Sequence, residues 1–145
     1  MPTITAILNT YNEGRLLEEC LLSIRPFVDE IIVTDMKSDD DSRDIALRFG
    51  CKVISIEPRP IVEETFNEKI GIAKSEWILS LDPDNRVPEE TWAEIRRVME
   101  QPHVEAIVFH ERNQVFGRWI DHGHGSKTDC MCMFKRERYL RNGMP

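Results

Sequence analysis

Several things that would mark a membrane, secreted or nucleic-acid-binding protein are missing from these 145 residues. No apolar run approaches membrane-spanning length, and Met1-Pro2-Thr3 leads straight into Ile4 without a basic segment and apolar signal stretch, so a soluble, cytoplasmic protein is expected. No basic run with interleaved aromatics occurs, and a formal net charge of -7 speaks against a general nucleic-acid binder. The four cysteines, at 20, 51, 130 and 132, form no CxxC pair and read as reduced thiols. Repeats, low-complexity tracts and linkers are absent too, which leaves a domain boundary nowhere to fall. A single domain over 1–145 is the expectation.

What is present centres on Trp77 to Asn85, W-I-L-S-L-D-P-D-N. An apolar run of strand length ends in two carboxylates, Asp82 and Asp84, with a proline between them that keeps the backbone extended. In α/β sheets ligands sit at strand ends, and two acids one residue apart can seat a hard divalent cation such as Mg2+ or Mn2+. Pro-Asp-Asn is also ordinary turn chemistry. An acidic protein that binds a phosphorylated ligand needs local cations or a metal to offset like charge.

Strands and helices alternate along the chain. Thr3 to Thr10 reads as a buried strand, followed by a helix carrying Leu16, Leu17, Cys20, Leu21 and Ile24, with Asn12 as its N-cap and Pro26 as its stop. Glu30 to Thr34 is a second strand ending in an acid, Asp35. The polar loop 37–42 then enters a helix with Ile45, Ala46 and Phe49 inward and Gly50 at its end, Asp40 to Ser42 reading as loop solvation or a cap. Cys51 to Ile56 is a third strand, and a helix through Val62, Phe66, Ile70 and Ala73 precedes the Trp77 strand. A further helix starts near Pro88 with Trp92, Ile95 and Met99 inward. Strands are predicted over Ala106 to His110, Val115 to Ile120 and Cys130 to Phe134, then a short basic helix over Arg136 to Arg141. Four strands separated by helices imply βαβ units and a largely parallel sheet.

His122, His124, Cys130 and Cys132 form an H-x-H-x5-C-x-C set that could wrap zinc, but Cys-Met-Cys-Met reads better as a strand with small residues on one face and larger ones on the other. The two histidines fall on a glycine-flanked loop. Trp77 and Trp92 read as core, and Trp119 as packing or a sugar platform.

As a set, I-L-N-T-Y-N-E at 7–13, E-I-I-V-T-D-M-K-S-D-D at 30–40, Asn67 before Ala73-Lys74, E-W-I-L-S-L-D-P-D-N at 76–85 and M-F-K-R-E at 133–137 resemble the family 2 glycosyltransferases in order and spacing. The resemblance implies a GT-A, Rossmann-like three-layer α/β sandwich, with a mostly parallel central sheet flanked by helices, and an inverting mechanism. It places Asn9, Thr10, Tyr11, Glu13, Asp35, Asn67, Lys69 and Asp82 around a nucleotide sugar, UDP- or GDP-linked, and Asp84 with Asp82 on Mn2+ or Mg2+. Tyr11 would stack on the base or pack on the first helix. Met36 and Lys37 stand where many members have Asp and Gly, and Lys69 where Gly is common, a place from which a cation could serve the phosphates. The family's catalytic base normally lies in a Glu-Asp motif beyond Pro145, so the domain is expected to be truncated or minimal there; Asp121 and Asp129 are the nearest substitutes.

Two function classes follow. One is a metal-dependent glycosyltransferase that moves a sugar to a carbohydrate, lipid-linked or other hydroxyl acceptor. The other is an inactive nucleotide-sugar-binding or interaction module retaining only the donor half of the fold. A pyrophosphorylase is disfavoured because no Gly-rich N-terminal phosphate loop is present. A sheet cut short would leave an uncovered edge, so a homo-oligomer is a further expectation.

Overall fold

The computed structural model describes residues 1–58, 64–120 and 128–142. Along the chain run β1 (Ile4–Thr10), α1 (Gly14–Ile24), β2 (Glu30–Asp35), α2 (Ser42–Arg48), β3 (Lys52–Ser55), α3 (Glu64–Ile72), β4 (Trp77–Leu81), α4 (Glu89–Met99) and β5 (Ala106–Glu111). The short β6 (Gln114–Val115) and β7 (Arg118–Trp119), then β8 (Thr128–Lys135) and α5 (Arg136–Asn142), complete the chain. Six strands form one sheet in the order β3-β2-β1-β4-β8-β5. The first four are parallel, while β8 runs antiparallel to both of its neighbours.

The period of two along each strand divides the apolar side chains between two helical layers. Ile4, Ala6 and Leu8 of β1, Ile31 and Val33 of β2, and Trp77, Leu79 and Leu81 of β4 meet the inner faces of α1, α2 and α4. The alternate residues Ile7, Ile32, Ile78 and Phe134 meet Ile70 and Ala73 on the other face. Covered on both sides, the middle strands are apolar almost throughout, which is why they were visible as continuous runs. Trp77 and Trp92 are buried as expected, Trp92 stacking on Phe27 at 4.9 Å between ring centroids. In β8, Cys132 and Met133 fall on opposite faces, in keeping with the alternation read from Cys-Met-Cys-Met.

Three local expectations change. Asn12 does not cap α1: it stands at φ 54°, outside the helix, and Glu13 takes the cap position. The stretch from Val115 to Ile120 is a two-stranded hairpin, not one strand, because Phe116 and Gly117 both have positive φ and turn the chain between β6 and β7. Trp119 is 54% exposed under the Arg112 guanidinium, so it does not pack into the core. Among the described residues no helix is long and apolar enough to cross a membrane.

Candidate active site

Because β1, β2 and β4 are parallel, their C-terminal ends emerge along one edge of the sheet and carry Asn9 and Thr10, Asp35, and Asp82 to it together. Two antiparallel steps through β8 make β5 point the same way, so Glu111 reaches that edge as well.

The loops after β1 and β2 are joined side by side. Asn12 Oδ1 accepts from the Asp39 N–H at 2.7 Å, and the Asn12 N–H donates to Ser38 Oγ at 3.0 Å. Asp40 accepts from the Gly14 N–H and the Ser42 N–H, both at 2.9 Å, and Ser42 Oγ accepts from the Glu13 N–H at 3.1 Å. Burial alone would raise the Asp40 carboxyl, but these hydrogen bonds bring it below its ordinary value. The loops approach so closely that a Cβ at Gly14 would lie 2.2 Å from Asp41 Oδ1, so a side chain there would displace the Asp41 carboxylate. Asp35, 2% exposed, turns inward and accepts from the Ser38 N–H at 3.1 Å. Asp35 and Asp40 thus brace this wall of the site.

Beyond β4, the Asp82-to-Arg86 turn is held from four directions. Asn85 Oδ1 accepts from the Asp82 N–H at 2.8 Å, and the Asn85 N–H returns to the Asp82 carbonyl at 3.0 Å. Arg86 donates to the Pro83 and Asn85 carbonyls at 2.8 and 2.7 Å and pairs with Glu19 of α1 at 2.8 Å. Cys20 Sγ lies 3.7 Å from the Asp82 carbonyl, its thiol pushed up to about 12 by burial and therefore neutral. With the backbone so restrained, both Asp82 and Asp84 remain exposed to solvent. The turn displays them in a set geometry.

These acids feel one another. Desolvation, then Asp84, raises the Asp82 carboxyl, while the Lys69 ammonium pulls it down. Glu13 and Glu111 are both raised, first by desolvation and further by Asp84 and Asp82. Lys69 lies beneath them, 1% exposed, with its ammonium donating to Asn9 Oδ1 at 2.5 Å and resting 5.9 Å from the Phe66 ring. It is a cation built into the floor of the site.

Burial lowers Lys69 from its ordinary 10.5 to about 8, with Asp82 opposing. Between those values the unfolded chain holds a proton that the folded chain has lost, so this group adds stability as pH rises from about 8. Cys20 and Cys51, raised from 9.0 to about 12 and about 11, act oppositely above about pH 9. Relative to Lys69→Met, the natural chain should therefore gain about 1 kcal/mol between pH 7 and pH 9 in urea unfolding. Parallel profiles for the two proteins would remove Lys69 as the titrating group.

Not every sequence candidate joins the cluster. Thr10 is fully buried, with no hydrogen-bond partner for its hydroxyl among the described residues, and Tyr11 is 45% exposed at the rim. Asn67 instead accepts from the Tyr139 hydroxyl at 2.5 Å, where α3 meets α5. Asp121, His122 and His124 lie outside the described residues, as do the side chains of Asp129 and Cys130. Conversely, Asn85, Arg86 and Glu111 belong to the site and were not singled out from sequence. One signal could have found Glu111, since β5 ends in an acid just as β2 does.

The donor set suits a hard divalent cation: carboxylate oxygens that repel one another, at a solvent-open edge, with a neutral thiol nearby. Among the described residues no three His, Cys, Asp or Glu side chains come together in a group that could by itself hold a metal ion.

Residues 5–143 match the profile of glycosyl transferase family 2. Glycosyltransferase SunS of the Bacillus subtilis SPbeta prophage is 34% identical over 118 residues, covering 74% of this chain and 26% of that protein. A Pyrobaculum calidifontis mannosyltransferase, solved with GDP-Man and Mn2+, superposes with a TM-score of 0.71 at 24% identity, over 99% of this chain and 48% of that one. Glucosyl-3-phosphoglycerate synthase from Mycobacterium tuberculosis, solved with UDP, gives 0.68 at 20% identity over 94% and 57%. The chain spans about a quarter to a third of the curated relatives it matches and about half of these solved chains. The structural neighbours are GT-A glycosyltransferases, and their fold is the one described above. With strand-end acids, a mostly parallel sheet and a family profile that agree over nearly its whole length, the chain belongs to glycosyl transferase family 2.

Proposed function

We propose that this chain forms the nucleotide-sugar-binding part of a metal-dependent, inverting glycosyltransferase. It would move a sugar from a UDP- or GDP-linked donor to a hydroxyl of a carbohydrate, lipid-linked or other acceptor. The observation that carries this reading is the restrained Asp82-Pro83-Asp84 turn, exposed at the end of β4 beside the joined loops of β1 and β2. Neighbours solved with GDP-Man and Mn2+, or with UDP and Mn2+, support it by likeness of fold.

In this reading Asn9, Tyr11, Glu13 and the wall braced by Asp35 border the nucleoside. Lys69 keeps a positive charge beneath the diphosphate through its contact with Asn9. Asp84, with Asp82, would hold Mn2+ or Mg2+, which when bound offsets the charge of the departing nucleoside diphosphate. The turn contributes by holding those carboxylates ready, so that little rearrangement accompanies donor binding. An acceptor hydroxyl loses its proton to a carboxylate base and attacks the anomeric carbon opposite the diphosphate, whose bond to the sugar breaks.

Calorimetric titration of the chain with UDP, GDP and their sugar conjugates, with and without Mn2+, should reveal Mn2+-dependent binding. Absence of binding in every combination would sink the donor-site assignment. Binding without sugar transfer to any acceptor would favour an inactive donor-binding module.

A further inference from the structure

We propose that Glu111 is a specificity-determining residue whose carboxylate accepts hydrogen bonds from hydroxyl groups of the transferred sugar. The inference rests on the donor-site reading and extends it from the diphosphate outward. In the sheet order β3-β2-β1-β4-β8-β5, the nucleoside wall belongs to β2 and β1, and the diphosphate turn to β4. A donor laid along that edge continues past β4 towards β5, two strand spacings or about 10 Å away. Glu111 is the residue β5 delivers there.

Its placement is built. The pairing of β5 with β8 is regular from Ala106 to Phe109 and then shifts before Glu111. Such an irregularity re-aims the side chain beyond it. Asn85 ties that side chain to the acid turn: its amide oxygen accepts from the Asp82 N–H, and its amide nitrogen donates to Glu111 Oε1 at 3.3 Å. One amide thus sets the distance between the Asp82 backbone and the Glu111 carboxylate. The other carboxylate oxygen has no partner among the described residues.

Chemistry selects the ligand. A carboxylate beside Asp82 and Asp84 repels phosphate, whereas it accepts strongly from neutral hydroxyl donors. A half-buried acid that does not serve the phosphates suits the part of the donor that consists of hydroxyl groups.

The test compares the natural chain with Glu111→Ala and Glu111→Gln, titrating UDP, GDP, UDP-glucose and GDP-mannose in the presence of Mn2+. In Glu111→Ala, binding of the free nucleoside diphosphates should stay within about twofold, while the preferred sugar conjugate weakens about tenfold; Glu111→Gln, which keeps an acceptor oxygen, should fall between. Circular dichroism checks that both variants fold, and the isosteric Gln variant carries the test if Ala does not. Equal weakening of nucleoside diphosphate and sugar conjugate would overturn the proposal in favour of a metal or structural role, and unchanged binding of both would overturn it outright. A natural chain that binds no nucleoside diphosphate would overturn the donor-site reading itself, a result visible before any variant is made.

Discussion

Replacing Asp84 with alanine should weaken Mn2+-dependent binding of the nucleotide sugar by on the order of 100-fold or more, while leaving the fold intact. The two halves of this expectation have one cause. Asp84 is exposed on a turn whose backbone is held by Asn85, Arg86 and Glu19, and among the described residues its side chain makes no hydrogen bond or ion pair with that scaffold. It does repel Asp82, Glu13 and Glu111, each of which is raised in part by its charge. Removing it relieves that repulsion, and the thermal midpoint should hold or rise slightly. A variant that loses both binding and stability would show that Asp84 supports the turn; one that keeps Mn2+-dependent binding would take the metal away from this residue.

Leu79→Ala should be strongly destabilising, at about 3–5 kcal/mol in urea unfolding. Leu79 is 0% exposed in the middle of β4, with Ala6 of β1 and Met133 of β8 on either side and α1, α2 and α4 packed over the same face. Ala6 is already small, so little side chain is available to collapse into the space. A loss of that size is a large part of the roughly 5–15 kcal/mol that holds a typical domain together. Leu22→Ala, at a residue 60% exposed on α1, is the control and should stay within about 1 kcal/mol. Similar losses at the two positions would contradict the layered core.

The middle of this fold was readable because burial acts locally on composition. Strands covered on both faces must be apolar throughout, so β1, β2 and β4 stood out as runs, and the acids at the ends of β2 and β4 as interruptions. α4 was readable from Pro88, Glu89, Glu90 and the spacing of Trp92, Ile95 and Met99. Asn12 shows where such reasoning stops. Its place before a helix is that of an ordinary cap, but its side chain bonds a backbone N–H 27 residues away. A partner on the neighbouring loop outcompeted the local one, and no local pattern reports such a partner.

Sequence alone determined the α/β class, the largely parallel strands and the Asp82-Pro83-Asp84 turn, because each depends on periodicity or on neighbours within a few residues. Only the tertiary structure decided that β8 enters between β4 and β5, that Lys69 lies beneath the acids, and that Arg86 and Asn85 hold the turn and reach Glu111. Those placements depend on strand pairing and side-chain contacts between distant segments, and they exist only once the sheet has closed around its core.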